Sequence, residues 1–328
     1  MINWAFDIRP GEVDLPTFPP FALFDPAMGM TTVIPLMDPT RPARVDPETL
    51  VRTVQRFNVT NIFGSPALLN VLGRYTATGN IHLPSVRRVI SAGAAMPVAT
   101  VRRLQKTLSS EAEIHTPYGA TECLPVASVS GTELDQAVEE RTSCGEGTCI
   151  GKPVAPNDVK IIPVNDGIIE TFEQTVELPV GITGEIVVHG PTSTDSYWLR
   201  SEQTRLSKIV DSKDRVWHRM GDAGYFDTDG RLWYCGRKSQ RVICEDRVMY
   251  ADQVEAIFNI HPEVARSALV GIGKPGSQTP VLCVEPLSKP NRKRRERIRN
   301  DLRQIGRNNT LGALIRNPQA HVPTFTDN

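Results

Sequence analysis

Hydrophobic positions recur at helical spacing over residues 46–57. Leu50, Val51, Val54 and Phe57 fall on one side, and Asp46-Pro47 supplies a start signal. The next segment, NIFGSPALLNVLGRY (61–75), changes period: a short apolar strand, a Gly-Ser-Pro turn, then a helix. SVRRVISAGAAMP (85–97) repeats that plan, with a buried strand ending at Ser91 and Ala92, a turn of small residues and a Pro at a helix start. EIHTPYGATE (113–122) reads as a strand followed by a loop. Strands alternating with helices predict a largely parallel sheet. Ligands of such sheets bind beyond the carboxyl ends of the strands, so the three small-residue turns are expected to line one cleft.

The pattern differs on either side of this stretch. The first 45 residues are rich in Pro and read as irregular. From about residue 150, VKIIPV, GEIVVHG, RVWHRMGDAGYFD and GRLWYCGR read as short strands separated by turns, a β-rich subdomain. ADQVEAIFNIHPEVARSALVGIG then reads as helix, turn and strand. The expected fold class is α/β: a layered parallel sheet with a β-rich subdomain and a small α+β C-terminal domain. The expected boundaries are 1–150, 151–236 and 237–328.

Residues 289–307, KPNRKRRERIRNDLRQIGR, hold nine Lys/Arg against two Asp/Glu, which leaves the rest of the chain net −7. As a helix the segment carries one apolar stripe, Ile298, Leu302 and Ile305, with a cationic outer face. A solvated face is the default reading; a docking surface for a phosphate-bearing ligand or an acidic partner is the sharper one. Over the whole chain, Lys+Arg and Asp+Glu both total 37, so no global field draws it to nucleic acid or an anionic membrane. No apolar run approaches the roughly 20 residues of a membrane span. The start, MINWAFDIRP, lacks the apolar core of a secretory leader, and a cytoplasmic location is expected. The cysteines at 123, 144, 149, 235, 244 and 283 contain no metal spacing. They read as reduced thiols, with a Cys144–Cys149 redox pair as the alternative.

Candidate chemistry starts with a rejection. GEGTCIGKP (145–153) looks like a phosphate loop, but the position that needs Gly is Glu146, and Pro153 follows Lys152. HTPYGATECLPVASVSG (115–131) offers more. Tyr118 can lay its ring on an adenine, and Gly119 lets backbone approach a ligand closely. Thr121 offers a hydroxyl to a phosphate oxygen, and Glu122 is a hard oxygen ligand for Mg²⁺. RMGD follows at 219–222, and fifteen residues past Asp222 comes Arg237 in YCGRKSQRV. A carboxylate can grip both hydroxyls of a ribose.

The ordered triple YGxTE, GD, GR resembles the adenylate-forming superfamily of acyl-CoA synthetases, peptide-synthetase adenylation domains and luciferases. SAGAAMP is similar to that family's small-residue loop, GEIVVHGPTSTDSYW to its next landmark with Ser196 where Gly is usual, and ADQVEAIFNIHPEV to its C-terminal helix. The likeness covers nearly all of residues 15–285. Within the family, ALFDPAMGMTTVIPLMDPTRPAR, NIFGSPALLNVLGRY, HRMGDAGYFD and GRKSQRV look most like the β-lactone synthetases of long-chain olefin biosynthesis.

The resemblance implies site residues. Gly93, Ala94 and Ala95 would floor the adenine, Tyr118 and Gly119 would meet the base, and Thr121 the α-phosphate. Glu122 would bind Mg²⁺; it and Thr121 would be the catalytic pair. Asp222 would hold the ribose, and Arg237 ribose or phosphate. Ser239 falls at the interdomain hinge, and Phe63, Gly64 and Ser65 would border the acyl pocket. Implied ligands are ATP, Mg²⁺ and a fatty, β-hydroxylated carboxylic acid, with olefin-pathway proteins as partners and no nucleic acid. Coenzyme A is not expected to be required. VICEDRVMY (242–250) lacks the Gly that thioester-forming members carry there, a departure that equally fits simple loop variation. An ordinary fatty acyl-CoA synthetase and an inactive nucleotide-binding fragment remain the alternatives. The family's Gly-rich, Lys-bearing phosphate loop does not occur in this sequence, and no Lys follows Lys293. The chain is therefore expected to be a fragment truncated at both ends.

Overall fold

In the computed structural model, residues 2–312 are described. The reading of the tail beyond residue 312, including the absent late Lys, lies outside them. The described residues form two compact units, one of residues 2–135, 150–158 and 190–194, the other of residues 136–149, 159–189 and 195–312.

In the first unit, β1 (Val13–Pro16), β2 (Thr31–Thr32), β3 (Asn61–Phe63), β4 (Arg88–Ile90) and β5 (Glu113–Ala120) form a parallel sheet in the order β2-β1-β3-β4-β5. β6 (Cys123–Ser130) returns antiparallel to β5, and the Lys152–Pro153 end of β7 (Thr148–Pro153) pairs antiparallel with β6. The expected parallel sheet is present. The expected irregular N-terminus is a correction: besides a short α1 (Ile2–Ala5), it supplies β1 beside β3. Four residues between Pro and Gly turns are too few to display a period, and their strand pairing comes from β2 and β3, whose register partners lie 18 and 47 residues away.

Helix α2 (Pro47–Phe57) begins where expected, because the Asp46 carboxylate accepts from Glu48 N and Thr49 N at 3.3 and 3.2 Å. Leu50, Val51 and Val54 are buried, but Phe57 lies 47% exposed at the last turn, so it is no part of the buried stripe. α3 (Pro66–Gly79) and α4 (Val98–Gln105) pack together where Gly73 lies against Leu104. Beside β3 and β4 lies a buried polar network. Arg88 pairs with Glu12 at 2.7 Å and donates to Asn61 Oδ1 and, at 2.8 Å, to the Asp7 carbonyl; Asn61 donates to Glu12 at 2.7 Å.

The second unit holds α5 (Gln136–Arg141), β8 (Asp158–Ile162), β9 (Gly184–His189), α6 (Ser201–Ser207), β10 (Lys208–Val210), β11 (Val216–Phe226) and β12 (Leu232–Arg237), with strand order β12-β11-β9-β8 and β10 on β11. Two turns of one design hold it. In DSKDRVW and DTDGRLW the Asp accepts from the Arg four positions on and from the indole N–H six positions on. The distances are 2.7 and 3.0 Å at Asp211, and 2.9 and 2.9 Å at Asp227. Burial alone would raise the Asp227 carboxyl, but these donors outweigh it and hold the group well below the usual range.

The remaining elements are β13 (Val242–Ile243), β14 (Val248–Met249), α7 (Ala251–Asn259), β15 (Val264–Ile272), β16 (Thr279–Pro286) and α8 (Arg292–Arg307). Val254, Phe258, Leu282, Ile298 and Leu302 share one apolar cluster, with Ile305 packed against it. The expected stripe of α8 is therefore the face it buries, and Arg294 and Arg297 reach Glu263 at 2.9 and 2.8 Å.

Candidate functional site

The first-unit candidates gather at the carboxyl ends of neighbouring parallel strands. Phe63, Ile90 and His115 are in register across β3, β4 and β5, and the next residues continue the pairing: Gly64 N donates to Ile90 O and Ser91 N to His115 O. The loops that follow β3 and β4 thus leave the sheet side by side, as the sequence predicts, while β5 runs on past His115. Ser65 proves to be the N-cap of α3, accepting from Leu68 N at 3.4 Å, which accounts for the hydroxyl at that turn. Gly93, Ala94 and Ala95 form an exposed loop, with Gly93 at φ +92°, a backbone state that a side chain would strain.

YGATE does not form the expected loop. β5 continues through Tyr118 to Ala120, Ala120 pairs with Cys123, and only Thr121 and Glu122 stand at the tip of the hairpin. The register shifts between Tyr118 and Ala120. Gly119 is required there by space: a Cβ would come within 2.6 Å of the Cys123 carbonyl. The signal missed in the sequence was LPVASVS, an apolar run able to pair with the strand before it. Tyr118 is half-buried, Thr121 is exposed and Glu122 is half-buried. Thr194 N donates to the Glu122 carbonyl at 2.8 Å, fixing the tip.

Asp222, Arg237 and Ser239 belong to the second unit. Asp222 on β11 is opposite Arg237 on β12, 2% exposed, and meets the Arg237 guanidinium at 2.9 Å. Ser239 is exposed in a short 3₁₀ turn, Lys238–Gln240. Beside them lies a cluster that sequence reasoning missed. The fully buried Glu185 receives Arg219 through two bonds, 3.1 and 2.7 Å, and Lys238 at 2.8 Å. Two cations on one carboxylate neutralise a charge that could not stand alone at 0% exposure. A charged residue opening the apolar run EIVVH was the available signal. Because Arg219 lies three residues before Asp222 and Lys238 follows Arg237, the cluster anchors both strands that present the ion pair.

Phe63 lines a narrow apolar cavity in the first unit with Phe21, Phe24, Met30, Ile90 and Leu124; Gly64 and Ser65 do not line it. Phe63 and Phe21 stack at 3.9 Å. No group of three or more metal-ligating side chains occurs among the described residues. A Mg²⁺ that arrives with phosphates needs only one or two protein carboxylates, and the hairpin-tip Glu122 fits that requirement. All six cysteines are free thiols, Cys144 exposed and Cys149 buried. No described helix is long and apolar enough to cross a membrane.

The AMP-binding enzyme family model matches residues 23–198, and this chain belongs to that family. It is 54% identical to the olefin β-lactone synthetase of Xanthomonas campestris over 289 residues, 87% of this chain and 51% of that protein. Its identity to the olefin β-lactone synthetase of Stenotrophomonas maltophilia is 53%, over 88% of this chain and 52% of the relative. The chain thus spans about half the length of these relatives. Among solved structures, the amide bond synthetase McbA of Marinactinospora thermotolerans superposes with a TM-score of 0.73 at 24% identity, covering 97% of this chain and 59% of that one. O-succinylbenzoate coenzyme A synthetase (MenE) of Bacillus subtilis, in complex with ATP and magnesium, gives 0.65 at 23% identity, covering 88% and 55%. These two likenesses establish the adenylate-forming fold.

Proposed function

We propose that this chain is the nucleotide-binding part of an ATP-dependent, AMP-forming ligase that activates a β-hydroxy fatty acid and closes it to a β-lactone. Identity above 50% to two β-lactone synthetases, sustained over nearly nine-tenths of the chain, carries this reading. Tyr118 stacks on adenine beside the Gly93–Ala95 loop, and Asp222 accepts from the ribose hydroxyls. Arg237, already held by Asp222, reaches ribose or phosphate. Thr121 donates to the α-phosphate, and Glu122 would hold Mg²⁺, which would supply charge neutralisation there.

A carboxylate oxygen of the acid attacks the α-phosphorus, and the bond to pyrophosphate breaks. The substrate's β-hydroxyl oxygen then attacks the acyl carbon and loses its proton. The acyl–phosphate bond breaks, AMP leaves, and a four-membered ring closes. Such chemistry needs no thiol. In keeping with that, residues 244–247, Cys-Glu-Asp-Arg, form a tight side-chain-bearing turn between β13 and β14, with Cys244 N donating to Arg247 O at 2.9 Å.

The second reading is a coenzyme A ligase. It rests on 30% identity to the 4-chlorobenzoate–CoA ligase of an Arthrobacter species, over 69% of this chain. The test uses a protein that carries this sequence within the full length of its relatives. It is expected to release AMP from ATP and a 3-hydroxy fatty acid without coenzyme A. Strict dependence of AMP release on coenzyme A would establish the second reading instead.

A further inference from the structure

The apolar cavity of the first unit has a polar corner that the nucleotide chemistry leaves unused. Asp14, Asp25 and Asn61 line it together with the aromatic and aliphatic side chains already named. Asp14 is 6% exposed and Asp25 2%. Neighbouring groups are committed elsewhere. Asn61 spends its amide on Glu12 and Thr60 and its carbonyl on Arg88, while Arg88 is taken by Glu12 and the Asp7 carbonyl. Asp25 accepts from Thr32 at 2.7 Å. Asp14 makes no side-chain hydrogen bond to Asn61, Thr32 or Arg88, whose bonds go elsewhere; the backbone N–H of Leu15 and, less, the charge of Arg88 compensate it in part. Burial, with the like charge of Asp25 next, pushes the Asp14 carboxyl up to about 8, so it keeps its proton at neutral pH.

A buried polar group without a side-chain partner costs stability unless something completes its bonds. An apolar ligand would fill the cavity and leave that cost in place. A water-like polar ligand would satisfy the carboxyl and waste the aromatic walls. The match is a molecule with both characters. We propose that this cavity binds an aliphatic chain carrying a hydroxyl group, and that the Asp14 carboxyl is the hydrogen-bond partner that selects the hydroxyl. The proposal rests on the fatty-acid reading of the protein and names the feature by which a hydroxylated chain is told from a plain one. A protonated carboxyl both donates to and accepts from a hydroxyl, whereas a carboxylate only accepts.

Calorimetric titration of the 328-residue chain with 3-hydroxydecanoate and with decanoate, in the absence of ATP, tests this. The wild type is expected to prefer the hydroxylated acid by about fivefold, the worth of one net hydrogen bond. Asp14→Leu is expected to bind both acids within twofold of each other, while Asp14→Asn, which still offers donor and acceptor, keeps a preference. A preference that survives intact in Asp14→Leu, or no binding of either acid by wild type, overturns the proposal. Because no nucleotide is present, a failure here is separate from a failure to release AMP. Circular dichroism confirms that each variant is folded.

Discussion

In a pyrophosphate-exchange assay with 3-hydroxy fatty acids, the 328-residue chain alone is expected to run about three to six orders of magnitude slower than a full-length relative. Charge sets the barrier. The attacking carboxylate and the triphosphate are both anions, and bringing them together requires cations and donors fixed in advance. In the proposed reading Glu122, at a hairpin tip, would hold one Mg²⁺. Arg237 is half-exposed and already paired with Asp222. The Gly-rich, Lys-bearing phosphate loop and the late Lys that the family resemblance implies do not occur in these 328 residues. By comparison with loss of one oxyanion-hole donor, each is worth about 2–4 kcal/mol of transition-state stabilisation, and each 1.4 kcal/mol is about tenfold in rate. Exchange within tenfold of a full-length relative would show that other groups replace them.

The second large effect is on stability. Asp14→Asn is expected to leave stability unchanged near pH 4 and to raise it by about 2–3 kcal/mol at pH 8. Asp14 titrates near 8 when folded, against an ordinary value of 3.8. Between those values the unfolded chain has released its proton and the folded chain holds it. Folded-state stability therefore falls as pH rises, by up to about 1.4 kcal/mol per pH unit for one group. The stabilising contribution is complete below the unfolded value and lost on passing through the folded one. Asn mimics the protonated side chain and removes the dependence. The full displacement would correspond to roughly 5 kcal/mol; water entry and relaxation reduce it. Groups facing Asp14 bear on the profile as well. Asp25 is itself raised by burial, and Arg88 and Glu12 compensate one another. Urea midpoints for wild type and Asp14→Asn at pH 4, 6 and 8 provide the readout, and parallel curves across that range would contradict the assignment.

Where local pattern governs, the sequence was readable. Asp46-Pro47 and Ser65-Pro66 are caps recognisable without partners, and both helices begin there. The β3 and β4 strands announce themselves as apolar runs closed by small residues. What escaped depends on pairing at long range. β1 is four residues long, with its partner β3 beginning at residue 61. The strand character of Tyr118–Ala120 is imposed by β6. Glu185, Arg219 and Lys238 are ordinary charges in the sequence and become one buried cluster only because β9, β11 and the turn after β12 are adjacent. Asp14 lies in the stretch read as irregular, and only β1 and the cavity make it a buried carboxyl.

Titration of the chain with AMP by calorimetry tests the central claim most directly, because nucleotide binding underlies every later step. Asp222→Ala removes the carboxylate assigned to the ribose and leaves Arg237 half-exposed, where water can solvate it. Wild type is expected to bind AMP measurably and Asp222→Ala to lose about 1.5–3 kcal/mol, the range for hydrogen bonds to a charged group. Equal AMP affinity in the two proteins would contradict it.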